Sequence, residues 1–128
     1  MRILVVDDES DFVSLTVEWL TRCGHQTMGI TSASELVERM EKQRSEVVPL
    51  DLILPDANGL SLISKLRSAS PSTSIVVITG LADAQLAASA IQEGAADYLT
   101  KPVDFDVLKR VLDDIEQKRD EGGLADQR

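Results

Sequence analysis

Only one cysteine, Cys23, and one histidine, His25, occur in the 128 residues. A lone thiol cannot close an internal disulfide, which fits a reducing cytoplasm. A lone histidine beside the second strand-like segment reads as a surface residue, and leaves no histidine cluster for acid-base work or metal binding. Long apolar runs are also missing; a bilayer-spanning helix needs about 20 such residues in succession. The opening segment, Met1 to Val6, reaches Asp7 before the apolar region of a secretory leader could form, so no signal peptide is expected. Positive charge is scarce: 13 basic against 22 acidic side chains give a net charge of -9. That balance disfavours direct contact with nucleic acid or an anionic membrane.

What remains is ordinary globular composition, 43% hydrophobic and 27% charged, in a chain of single-domain length that buries about two thirds of its unfolded surface. Residues 1–120 are expected to form that domain, and 121–128 a C-terminal tail or a severed linker. Five short segments read as strands: Ile3 to Val6, Thr27 to Ile30, Val47 to Leu50, Ile75 to Ile78 and Asp97 to Leu99. The first, third and fourth are continuously apolar, as in strands covered on both faces.

Five segments of helical period follow them. The first carries a wide apolar stripe of Phe12, Val13, Leu15, Val17, Trp19 and Leu20 and ends near Gly24. Ser32 or Ser34 would cap a second that buries Leu36, Val37 and Met40. A third uses Leu62, Ile63 and Leu66 and stops before Pro71. The fourth, Asp83 to Glu93, is rich in alanine. The fifth buries Leu108, Val111, Leu112 and Ile115 until Glu121-Gly122-Gly123 breaks the pattern. Strict alternation implies an α/β fold: a doubly wound parallel sheet with right-handed crossovers and helices on both faces. Ligands in such folds bind outside the carboxyl ends of the strands.

Polar residues gather at those ends. Asp7 and Asp8 close the first strand, Asp51 the third and Thr79 the fourth, and Lys101 follows the fifth. Taken singly each has a plain explanation. Acids favour helix starts, Thr79-Gly80 is turn chemistry, and Lys101-Pro102 resembles many loop entries. Together they form a toolkit: a carboxylate able to attack phosphorus, acids for a divalent cation, and an ammonium and a hydroxyl for phosphoryl oxygens.

Leu4-Val5-Val6-Asp7-Asp8-Glu9, Asp51-Leu52-Ile53-Leu54-Pro55 with Gly59, Val77-Ile78-Thr79-Gly80 and Gly94-Ala95-Ala96-Asp97-Tyr98-Leu99-Thr100-Lys101-Pro102 resemble the receiver domain of two-component response regulators. The resemblance runs from Arg2 to about Ile115. It implies a flavodoxin-like, five-stranded parallel sheet in the order 2-1-3-4-5 with five surrounding helices. It also implies a signalling switch rather than an enzyme, catalysing only its own phosphorylation and dephosphorylation.

By that resemblance Asp51 accepts the phosphoryl group from a sensor histidine kinase or phosphotransfer protein. Asp8, Asp51 and the Ile53 backbone carbonyl bind Mg²⁺, with Asp7 acting through water. Lys101 and Thr79 meet phosphoryl oxygens, and Tyr98 with Thr79 switches the surface of the fourth helix, fifth strand and fifth helix. That surface would engage a downstream output domain or protein, or a second copy as a homodimer. Neither a membrane nor nucleic acid is an expected direct partner.

Three departures stand out. Pro49 lies inside what should be a central strand, where it removes a ladder hydrogen bond at a cost of about 1 kcal/mol and puts that strand's regularity in question. Ile53 and Leu81 are apolar where the family tunes phosphoryl loss, and neither can orient water, which predicts a long-lived phosphorylated state. Rival readings are a pseudo-receiver that is never phosphorylated, a flavodoxin-like carrier and a small phosphatase. The complete polar set opposes the first. An acidic loop in place of a glycine-rich one opposes the second. The lack of a second acid two residues after Asp51 opposes the third.

Overall fold

The computed structural model describes the backbone of residues 1–126 and the side chains of residues 1–121. Five strands alternate with five helices: β1 (Arg2–Val6), α1 (Ser10–Arg22), β2 (Gln26–Ile30), α2 (Leu36–Lys42), β3 (Val47–Leu50), α3 (Gly59–Ala69), β4 (Ser74–Thr79), α4 (Ala84–Glu93), β5 (Asp97–Thr100) and α5 (Phe105–Asp126). A 3-10 turn, Ala33–Glu35, leads into α2, and a small antiparallel hairpin pairs Ile53–Leu54 with Ala57–Asn58. The five strands are parallel in the order β2-β1-β3-β4-β5, the predicted order. Among the described residues no helix is long and apolar enough to cross a membrane.

The continuous apolar strands work because successive side chains point to opposite faces. Leu4, Val6, Val48, Leu50, Ile75 and Val77 pack with Leu36, Met40, Leu62, Ile63, Leu66 and Ala90 of α2, α3 and α4. Ile3, Val5, Val47, Val76 and Ile78 pack on the other face with Val13 and Leu20 of α1 and Leu108, Leu112 and Ile115 of α5. Full burial of each such side chain stabilises by about 1.5–3 kcal/mol. On the second face the Trp19 and Phe105 rings, 4.8 Å apart, bring α1 against the start of α5.

Pro49 leaves its mark where expected. β3 keeps its four residues and pairs continuously with β4, including Pro49 opposite Val76. Toward β1 it pairs only at its ends, Ile3 with Val47 and Val6 with Leu50. The gap falls where proline has no N–H to give.

Other expectations need correction. Leu15 is 55% exposed while Thr16 is buried, because α1 turns 13, 16 and 20 toward the sheet and a residue one step off that stripe faces water. Val37 is likewise exposed, leaving Leu36 and Met40 as the buried residues of α2. Neither Ser32 nor Ser34 makes a capping bond there; Asp56 supplies it instead. Glu121-Gly122-Gly123 does not end α5, whose backbone continues to Asp126. An interior glycine costs only about 1 kcal/mol, less than is needed to stop an established helix. Gln127 and Arg128, the end of the expected tail, lie outside the described residues. His25 is half-buried, its Nδ1 3.1 Å from the Met1 amine, rather than a simple surface residue.

Candidate functional site

Each polar residue at the sheet's carboxyl edge is fixed by the neighbouring strand. The Asp7 amide donates to the Ile30 carbonyl of β2 (3.2 Å), the Asp51 amide to the Val6 carbonyl of β1 (3.0 Å), and the Lys101 amide to the Thr79 carbonyl of β4 (2.8 Å). The ladder thus continues one residue past the strands and sets side chains from four chain segments around one cleft. The Lys101–Pro102 peptide is cis.

Lys101 is the hub. Its Nζ lies 2.7 Å from Asp7 Oδ2, 2.8 Å from Glu9 Oε1 and 3.0 Å from Asp51 Oδ2. It also stands 4.4 Å above the centre of the Phe12 ring, a cation–π contact. Burial alone would push the lysine pKa down, but the carboxylates of Asp7, Glu9 and Asp51 outweigh it and hold the ammonium well above the ordinary lysine range.

Asp7 and Asp51 are almost completely buried, and Asp8 is exposed. Asp51 Oδ1 accepts from the Ile53 amide (2.9 Å), and Asp7 Oδ1 from the Glu9 amide (2.9 Å). Asp7 Oδ2 has no hydrogen bond, so its approach to Lys101 is a charge pairing at an angle unsuited to one. Desolvation pushes the Asp7 pKa up; Lys101 and the Glu9 amide pull it down, the Asp51 charge raises it further, and the net direction is upward.

Asp7, Asp8 and Asp51 bring carboxylate oxygens within 4.8 Å of one another, the one such acidic cluster among the described residues. An all-oxygen donor set of this charge fits a hard divalent cation. Ile53 is half exposed in the small hairpin, two residues beyond Asp51.

Thr79, at the end of β4, is fully buried, yet its Oγ1 has no hydrogen-bond partner. The Tyr98 hydroxyl donates to the Leu81 carbonyl, tying β5 to the loop that Thr79 begins. Burial pushes the tyrosine pKa up, and the charges of Asp83 and Asp51 push it further.

Asp7, Asp8, Asp51 and Lys101 therefore meet at the carboxyl edge of the sheet, Thr79 ends the neighbouring strand without a side-chain partner, and Ile53 and Tyr98 lie in the hairpin and in β5 beside them. Sequence reasoning gave no role to Glu9 as a partner of Lys101, to Phe12 beneath the ammonium, or to Asp56 and Asn58 in the loop after β3. Asn58 caps α3 by accepting from the Leu60 and Ser61 amides. Its place just before an apolar helical run was a usable signal.

Comparison with known proteins gives a consistent answer. The family described as "Response regulator receiver domain" matches residues 3–113. The chain is 28% identical over 102 residues to the chemotaxis protein CheY of Thermotoga maritima, covering 79% of this chain and 85% of that protein. It is 32% identical over 111 residues to the response regulator PilR of Pseudomonas aeruginosa, covering 87% of this chain but 25% of PilR. The chain thus spans about a quarter of that regulator's length. Among solved structures, a Burkholderia pseudomallei response regulator with a phosphorylated aspartic acid, calcium ion and citrate superposes with a TM-score of 0.82 at 29% identity, covering 97% of this chain and 74% of that one.

Proposed function

The chain belongs to the response regulator receiver domain family, and from that membership we propose that Asp51 is its phosphoacceptor, loaded from a phosphohistidine of a sensor histidine kinase or phosphotransfer protein. A carboxylate oxygen of Asp51 bonds to phosphorus while the bond from phosphorus to the imidazole nitrogen breaks. No general base is required, since the nucleophile is already an anion.

The observation that carries this reading is the Lys101 Nζ 3.0 Å from Asp51 Oδ2, beside a second and third carboxylate. Asp8, Asp51 and the Ile53 carbonyl would hold Mg²⁺, with Asp7 acting through a bound water. When bound, that cation screens the clustered acids from one another and from the incoming dianion. Lys101 exchanges a carboxylate partner for a phosphoryl oxygen, as a compact point charge can. Thr79 supplies the hydroxyl that now has no partner. Phosphoryl transfer needs positioning and charge neutralisation more than covalent help, and these groups supply both.

An aspartyl phosphate adds about one further negative charge at the head of β3. Thr79 moves toward it and draws the following loop along. Tyr98 then gives up the Leu81 carbonyl and turns inward, reshaping the face of α4, β5 and α5. That face would pass the signal to an output domain or protein, or join a second copy. Relatives such as the NtrC regulator of Proteus hauseri, of which the chain covers 22%, are consistent with linkage to further domains. A cytoplasmic setting, a cognate kinase and the absence of direct contact with nucleic acid or membrane belong to the same reading.

Intact mass after incubation with acetyl phosphate and Mg²⁺ tests it. One phosphoryl group should appear on the wild type and none on Asp51→Asn. Equal labelling of both proteins, or of neither, rejects the assignment.

A further inference from the structure

Asp56 stands exposed at the turn of the hairpin that follows Asp51. Its carboxylate nevertheless makes two long-range bonds: Oδ1 accepts from the Ala33 amide at 3.1 Å and Oδ2 from the Ser34 amide at 3.0 Å. Those amides begin the turn that leads into α2, where first-turn donors have no partner within the helix. The residue at the cap position, Ser32, makes no side-chain capping bond. Asp56 therefore does for α2 what a local cap does elsewhere, from a distant point in the chain.

The hairpin has reason to need the tether. Its ladder is only two residue pairs, Ile53 with Asn58 and Leu54 with Ala57; Leu54 and Ala57 also pack on the core, but a two-stranded ladder so short has little stability of its own. Its base is pinned by the Ile53 amide on Asp51 Oδ1 and by Asn58 at the start of α3. Its tip is pinned by Asp56. Ile53 is itself part of the base, so a loose tip removes the anchor on the carbonyl side of its backbone.

We propose that Asp56 is a positioning residue: by gripping the amides of Ala33 and Ser34 it holds the 53–58 hairpin, and with it the Ile53 carbonyl, in place beside Asp8 and Asp51 for a divalent cation. The proposal rests on the receiver reading of that acidic cluster. It makes α2 and the loop after β3 one mechanical unit, so the cation site has a support contributed by an element that carries none of its ligands.

The test uses ¹⁵N-labelled full chain as wild type, Asp56→Ala and Asp56→Asn. Without added metal, amide exchange at Ala33, Ser34, Ile53 and Asn58 should quicken about ten-fold in Asp56→Ala. Asp56→Asn, with one acceptor oxygen left, should fall between. In a Mg²⁺ titration followed at the Asp8 and Asp51 amides, Asp56→Ala should bind about ten-fold more weakly, as loss of a supporting partner does in other metal sites. Asp56→Asn should recover part of that loss, and β4 amide shifts should stay at wild-type values. Faster exchange at Ala33 and Ser34 with wild-type Mg²⁺ affinity would overturn the proposal, leaving Asp56 as a helix cap alone. Unchanged exchange at Ile53 and Asn58 would overturn it too. A wild type showing no Mg²⁺-dependent shifts would reject the functional reading itself, and this proposal with it.

Discussion

Asp7 is a carboxylate held where a carboxylate is costly: almost fully buried, beside Asp51, with one oxygen lacking a hydrogen bond. Its pKa is raised by desolvation first and by the Asp51 charge in addition. A raised folded-state value means that the folded protein holds the proton over a pH range where the unfolded chain has released it. Stability from this group therefore falls as pH rises above the ordinary value of 3.8, and the cost is fully present once the folded-state pKa is passed. Asp7→Asn is expected to raise the unfolding free energy at pH 7 in chelating buffer, read from a urea melt, by on the order of 1 kcal/mol. The advantage should shrink as pH approaches 4, and added Mg²⁺ should stabilise the wild type more than the variant. Leu81 sets a second expectation. It is 41% exposed in the loop after β4, and its side chain presents no group that can hold a water molecule. Leu81→Glu should shorten the phosphorylated lifetime on the order of ten-fold, measured as loss of phosphoryl mass with time.

Among elements, the junction between β3 and α3 packs backbone on backbone. A Cβ on Gly59 would stand 2.5 Å from Leu52 Cα and 2.6 Å from the Leu52 carbonyl oxygen, backbone that cannot step aside. Gly59→Ala should therefore cost about 2–3 kcal/mol in a urea melt and slow acetyl phosphate labelling of Asp51. The strands were legible in the sequence because burial on both faces leaves unbroken apolar runs such as Val47 to Leu50, and their predicted bounds differ from the observed ones by a residue or less at each end. The helices were less so. Leu15 and Val37 are apolar yet face water, since composition does not say which stripe of an amphipathic segment meets the sheet. The true cap of α2, Asp56, lies 22 residues beyond Ser34 in the chain, and no local pattern announces a partner at that distance.

At the scale of the whole molecule, the cleft occupies one end of the sheet and a separate clamp the other. Glu46, just before β3, accepts from the Arg2 amide at 2.9 Å and pairs with Arg119 of α5 at 3.4 Å. The same arginine donates to the Ser72 carbonyl. Burial pushes the Glu46 pKa up, but the Arg2 amide, Arg119 and nearby positive charge outweigh it and set it below the usual 4.5. A depressed value gives stability that is present above the unfolded pKa and lost as pH falls through the folded one. Glu46→Gln should thus lower the unfolding free energy at pH 7, read from a urea melt, by about 0.5 kcal/mol, allowing for solvent screening of a partly exposed pair. The gap should close below pH 4. The convergence of Asp7, Asp8, Asp51, Thr79 and Lys101 was legible because α/β topology sends every strand end to one edge. Glu9 and Phe12 were not, because their roles depend on where the Lys101 side chain comes to rest.

The lone indole of the chain gains a use from its surroundings. Trp19 lies tilted against Phe105, four residues beyond Lys101, and shares α1 with Phe12, over whose ring the ammonium sits. If Lys101 trades carboxylate for phosphoryl oxygen as proposed, the emission of unlabelled protein is expected to change as it moves, so the indole can follow the switch in real time.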